Sequence, residues 1–208
     1  MAADIYWIVV TGMPQSGQTT FLHTASERST YRDRRDMSLI TKQDYLEARN
    51  AMRIWSARYL ATGEEGNADE RYMIDRYQNS LLVGELTVEA GMYVCLYEAP
   101  PSNRFDASWE VLEQGLLGIV MLMDSTAPER FKDVPRVIET ITESDVPFVV
   151  AANKQDLPNA VPVDDLCVLL DTGHTPVIPC VANDRKSVKA VLLALLERLQ
   201  EQDAGASV

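Results

Sequence analysis

Val146-Pro147-Phe148-Val149-Val150-Ala151-Ala152 runs directly into Asn153-Lys154-Gln155-Asp156. The apolar run predicts a buried strand, and N-K-x-D at the end of such a strand is a chemical reader of guanine. A carboxylate such as Asp156 can take both hydrogens offered by guanine N1 and the exocyclic N2, as a bidentate charge-assisted pair. Adenine presents no such pair of donors on that edge. Asn153 can bridge the base N7 and a phosphate-side loop, while the Lys154 stem can lie flat on the purine face. Taken alone, the tetrapeptide reads equally as a polar turn closing a strand.

The other end of the chain separates the two readings. Ile8-Val9-Val10-Thr11 is a second buried-strand run, and it leads into Gly12-Met13-Pro14-Gln15-Ser16-Gly17-Gln18-Thr19-Thr20. This is G-x-x-x-x-G-x-T between a strand and a helix, the context a phosphate-cradling loop requires. Its glycines let backbone N–H groups turn inward around a phosphate, and the following helix adds its positive N-terminus. Without the usual lysine the loop alone is a weak match. A phosphate loop at the first strand and a guanine reader at a late one form a much stronger pair.

With these motifs the chain resembles Ras/Arf-type small GTPases, most closely their bacterial and archaeal MglA-like branch. Arg104-Phe105-Asp106-Ala107-Ser108-Trp109-Glu110 and Gly118 to Thr126 are similar to that branch, as are Ala151 to Pro158 and Pro179-Cys180-Val181-Ala182. The similarity covers residues 1–35 and roughly 75–200. It implies a three-layer α/β P-loop NTPase G domain, with a mostly parallel six-stranded sheet and one antiparallel edge strand. It implies phosphate contacts from Gly12, Gln15, Ser16, Gly17, Gln18, Thr19 and Thr20, and guanine contacts from Asn153, Lys154, Asp156, Cys180, Val181 and Ala182. GTP or GDP is the implied ligand, with Mg2+ on Thr19 and on Glu98 through a water. A protein partner of the roadblock type is implied as well.

Hydropathy spacing predicts strands at about 4–11, 79–89, 92–98, 117–124, 147–152 and 176–180. Helices are expected at about 17–29, 106–115, 128–144, 162–170 and 185–202, and the alternation means a mostly parallel sheet with ligand at its carboxyl ends. One G domain over 1–203 is expected, followed by a short disordered tail at 204–208. Tyr45, Leu46, Met52, Trp55, Tyr59 and Leu60 recur at helical spacing, which predicts an amphipathic helical insertion at about 42–62 in the first switch region. Such a stripe either packs on its own domain or anchors a partner.

A length of 208 residues, 46% hydrophobic and 24% charged, fits one globular domain. A net charge of −12 argues against nucleic acid or an anionic membrane as partner. Cys95, Cys167 and Cys180 lie in apolar runs without metal-ligand spacing, so reduced core thiols are expected. No stretch is long enough to span a bilayer. Met1-Ala2-Ala3-Asp4 is neither a signal peptide nor a myristoylation site, and no prenylation cysteine or other membrane anchor is visible, so a cytoplasmic location is expected.

The departures from the family pattern bear on activity. Gln18 stands where a lysine normally holds β/γ-phosphate oxygens, and a neutral amide donates only ordinary hydrogen bonds. Losing a charge-assisted bond costs about 1.5–3 kcal/mol, a tenfold to hundredfold loss of affinity. The family's D-x-x-G-Q becomes Glu98-Ala99-Pro100-Pro101-Ser102. Pro101 has no N–H for the γ-phosphate, and Ser102, at the usual glutamine position, is too short to orient the attacking water. Register places Gln78 where the first-switch threonine belongs. These changes predict a guanine-nucleotide-binding switch or scaffold with weak or no hydrolysis. The alternatives are an active or partner-assisted GTPase and, further off, a nucleotide-free interaction module. Arg32, Arg34 and Arg35 are either a solvated charge run or a source of replacement charge for the phosphates.

Overall fold

A computed structural model describes residues 4–33, 35, 38–63, 66–99, 115–170 and 175–206. The expected helix at 106–115 and residues Pro100, Pro101, Ser102, Arg104 and Arg34 lie outside them. The chain divides into two units, residues 1–28 with 84–208, and residues 29–83.

The larger unit is built on β-branched runs that bury both faces. Strand β1 spans Asp4–Gly12, β5 Met92–Glu98, β6 Leu116–Asp124, β7 Phe148–Asn153 and β8 Val177–Pro179. Val9, Val10, Ile119, Val120, Val149 and Val150 are fully buried, as strands covered on both sides must be. β1 pairs in parallel with β5 and β6, β6 with β7, and β7 with β8. Strand β4, Ser80–Glu89, joins β5 through Ala90–Gly91. So short a connection requires antiparallel neighbours, and Gly91 at φ +90° meets the demand of the turn. The order β4-β5-β1-β6-β7-β8 gives the mostly parallel sheet of a P-loop GTPase fold.

Helices close the unit. α1 spans Gln18–Ala25 and buries Phe21 and Leu22. It stops four residues short of its expected end because Ser26 turns extended and its N–H caps the Leu22 carbonyl. The expected helix at 128–144 is a 3-10 turn at Pro128–Asp133 followed by α4, Val134–Thr142, whose second residue is a proline. Counting onward from the smaller unit's two helices, α5 spans Val163–Leu170 and α6 Arg185–Ala206. α6 buries Val188, Val191 and Leu195 at helical spacing, and it reaches into the stretch expected as a tail. Cys95 and Cys180 are core thiols as expected, but Cys167 is exposed, because α5 turns Leu166 and Leu170 inward instead.

The smaller unit supplies β2, Arg28–Asp33, and β3, Leu39–Ile40, paired antiparallel. They bring the strand count to eight rather than six. The helix expected at 42–62 is α2, Lys42–Thr62, and α3 spans Ala68–Gln78. Thr41 caps α2 by accepting from the Asp44 N–H at 3.1 Å. Asn67 and Glu70 form a reciprocal capping box on α3, at 2.9 and 3.0 Å. Two-pronged Arg58–Glu70 and single Arg76–Asp44 bonds tie the helices together. Tyr45 stacks on Tyr31 and Trp55 on Tyr59, while Leu46 and Leu60 are exposed. Much of the aromatic stripe therefore packs within its own unit. Arg35 is held by Asp33 and Asp75.

Candidate functional site

Gly12 ends β1 at φ +148°, where an added Cβ would stand 2.1 Å from the Leu122 carbonyl oxygen, so only glycine lets the chain leave the sheet here. The loop then turns on itself, with the Ser16 N–H donating to the Met13 carbonyl at 3.0 Å. Gln15, at φ +69°, occupies the left-handed region despite its side chain. Gly17, at φ +102°, opens α1. The N–H groups of Gln15 and Gly17 donate to no group among the described residues, and α1 adds the orphan donors of its first turn. This is an anion cradle in form.

Gln18 behaves differently from a phosphate ligand. Its side chain is buried and its Nε2 donates to the carbonyls of Gly12 at 2.9 Å and Met13 at 3.2 Å. An amide nitrogen has two hydrogens. Both are spent on the loop itself. Thr19 Oγ1 donates to the two carboxylate oxygens of Glu98 at 3.0 Å each, across 79 residues of sequence. The two residues expected to serve a metal are thus in contact with each other, and hard oxygens of this kind are what Mg2+ takes alongside substrate phosphates.

Asn153 joins the two motifs. It is 3% exposed at the end of β7; its Nδ2 donates to the Ser16 carbonyl at 2.7 Å and its Oδ1 accepts from the Ala182 N–H at 2.8 Å. Gly17 makes room for this, since a Cβ there would lie 2.3 Å from Asn153 Nδ2. Asn153 is thus a brace between the Gly12–Thr20 loop and the Cys180–Ala182 segment, with one Nδ2 hydrogen and its Oδ1 spent on protein. Lys154 lies at φ +70°, and its Nζ donates to Asp124 Oδ2. Asp124 also accepts from the N–H and hydroxyl of Thr126, at 2.9 and 2.6 Å, so it caps the turn after β6 and fixes the lysine together. Burial pushes its carboxyl upward, but the hydrogen bonds from Lys154 and Thr126 outweigh this and hold it below the usual range.

Gln155 bonds Ser125 Oγ at 2.8 Å and the Val161 carbonyl at 2.9 Å, which orients the turn. Asp156 is exposed and carries no hydrogen bond or ion pair among the described residues. A cavity of about 320 Å3 lies where these parts meet, within the ordinary range for small-ligand sites. Of the residues expected at phosphate, Gln15, Gly17 and Thr20 line it; of those expected at the base, Asn153, Lys154, Asp156, Val181 and Ala182 do, with Leu157 and Asn183. Cys180 is behind this wall. It is fully buried, burial pushes its thiol up to about 11, and its backbone bonds the Ala152 carbonyl and the Gln155 N–H.

Arg130 was not singled out by its sequence context. It sits on the 3-10 turn, and its guanidinium donates to the Pro14 carbonyl and, at 3.4 Å, to Gln15 Oε1. A contact across 116 residues between an irregular turn and a loop leaves no local sequence signal.

The model of the ADP-ribosylation factor (Arf) family matches residues 99–200, a span that holds Asn153 to Asp156 but not the phosphate loop. The mutual gliding-motility protein MglA of Myxococcus xanthus (strain DK1622) is 29% identical over 119 residues, covering 51% of this chain. The match spans 60% of that relative's length. The chain is thus similar to Arf-type small GTPases over residues 99–200 and to MglA over about half of its length, and its sheet is that of a P-loop GTPase fold.

Proposed function

We propose that the chain is a guanine-nucleotide-binding switch or scaffold of the small-GTPase type, with little or no hydrolysis of its own, working through a protein partner. The observation that carries this is the Asn153 brace. One buried side chain bonds both the phosphate loop at Ser16 and the base-side segment at Ala182, so the two halves of a nucleotide site share one cavity. Asp156 lines that cavity with a carboxylate that has no partner among the described residues, which suits the paired donors of guanine.

Slow chemistry follows from what the phosphate side lacks. Gln18 has no charge and no unspent hydrogen, and the sequence replaces the second-switch glycine and glutamine by Pro101 and Ser102. Thr19 and Glu98 would hold Mg2+, which supplies positive charge to the β- and γ-phosphate oxygens when bound. That intact pair favours a second reading, in which a partner donates the missing water-orienting group. A roadblock-type partner follows from the resemblance alone.

The test begins with the nucleotide content of purified, heat-denatured protein, where GDP or GTP is expected. In competition binding, guanine nucleotides should exceed adenine nucleotides by tenfold or more, from about 1.5–3 kcal/mol of discrimination. Asp156→Ala should erase that preference while leaving nucleotide-free melting nearly unchanged, because the side chain is exposed and bonds nothing among the described residues. Equal competition by ATP against the unmodified chain would rule the proposal out.

A further inference from the structure

We propose that Arg130 is a positioning residue of the phosphate loop: it clamps the Pro14–Gln15 peptide from outside, so that the Gln15 N–H faces the nucleotide's phosphates. This inference rests on the nucleotide reading above and adds to it the residue that sets the loop's shape.

Two observations carry it. A trans peptide is planar, with its C=O and N–H pointing in opposite directions. The Arg130 guanidinium bonds the Pro14 carbonyl, so the N–H of the same peptide, that of Gln15, is directed to the opposite side of the loop. That N–H has no acceptor among the described residues. The second observation is strain. Gln15 at φ +69° holds a conformation that persists only where surroundings over-determine it. Arg130 touches it on both sides, through the preceding carbonyl and through its own Oε1 at 3.4 Å. Gln18 treats the two preceding carbonyls in the same manner. Three consecutive carbonyls, 12 to 14, thus hold side-chain hydrogen bonds. Two come from a neutral amide and one from a cation, so Arg130 brings a full charge to a loop that lacks its lysine.

The separating measurement is affinity for GDP against affinity for guanosine, in the full chain and in Arg130→Ala, Arg130→Gln and Arg130→Lys. Guanosine lacks phosphates and reads only the base side. Arg130→Ala should lower GDP affinity about tenfold, the equivalent of one charge-assisted bond, and leave guanosine affinity unchanged. Arg130→Lys should recover part of the loss, since one ammonium can serve the Pro14 carbonyl but cannot fork to Gln15. The Gln15 amide resonance in the nucleotide-free protein should move in all three variants. Should Arg130→Ala fail to fold, the lysine and glutamine variants carry the same comparison. Undiminished GDP binding in every variant, or loss of guanosine and GDP in step, would overturn the proposal while the nucleotide reading stands. A full chain that binds neither GDP nor guanosine would remove the reading itself, and the proposal with it.

Discussion

Both hydrogens of the Gln18 amide are committed to carbonyls of its own loop, which makes this residue a structural member of the cradle. A lysine in its place has three donors and a full charge. It could keep both carbonyl bonds and still present one charged N–H to phosphate. Gln18→Lys should therefore tighten GDP binding by about one to two orders of magnitude in calorimetric titration. Unchanged affinity would mean either that another cation already serves the site, Arg130 being the nearest to hand, or that the loop does not admit phosphate. Asp124 gives a pH-dependent expectation. Its folded carboxyl lies below the usual range, so its contribution to stability is complete above the unfolded value near 4 and is lost as pH falls through the lower folded one. Asp124→Asn should cost about 1.5–3 kcal/mol at pH 7, seen as a lower urea midpoint. The gap to the unmodified protein should narrow on acidification below pH 4. A gap that stays constant with pH would show that the Lys154–Asp124 bond does not stabilise the fold.

Among the elements, the packing of α6 on β6 leaves no room for a side chain at Gly118. A Cβ at Gly118 would meet Leu195 Cδ1 and the Pro147 carbonyl oxygen, both at 2.7 Å. The leucine can shift, but the carbonyl cannot, because it accepts the ladder bond from the Ile119 N–H at 2.9 Å. Gly118→Ala should lower stability by about 1–3 kcal/mol without changing the slope of the urea transition. An unchanged midpoint would show that helix and strand separate at little cost. Elements of this kind were legible in the sequence, because the runs at Ile8, Ile119 and Val149 and the 3.6-residue spacing from Val188 to Leu195 are local signals. So was α2, whose bounds match the expected 42–62 segment. Strand β2 was not legible. Arg-Ser-Thr-Tyr-Arg-Asp has no buried residue, so its polar pattern read as the end of a helix and a charge run. The site divides along the same line. Asn153, Lys154 and Asp156 declared themselves as a motif, and Asp124 as a cap of the turn after β6 or a neighbour of the site, whereas the Lys154–Asp124 and Arg130–Pro14 bonds span 30 and 116 residues and only the fold creates them.

Over the whole chain, the parts proposed to read guanine and cradle phosphate converge in one unit, while the parts that would act on the γ-phosphate are altered at scattered positions. Gln18, Gln78 and the adjacent Pro101 and Ser102 come from three separate places in the sequence, and the last two residues lie outside the described ones. Hydrolysis needs them together, because charge, backbone donor and oriented water all serve one transition state. The unaided protein should hydrolyse GTP no faster than about 10⁻⁴ s⁻¹, the slow intrinsic scale of small GTPases, in a single-turnover assay with Mg2+. Pro101→Gly with Ser102→Gln should raise that rate by restoring a backbone N–H and a water-orienting amide. Adding Gln18→Lys should raise it further, by more than the product of the separate effects, as groups acting on one transition state do. If the three changes instead multiply independently, the groups act on different steps, and binding alone explains the lysine. Multiple turnover by the unmodified chain at the 5–20 s⁻¹ scale of partner-activated enzymes would overturn the weak-hydrolysis proposal and make this an enzyme with its catalytic groups elsewhere.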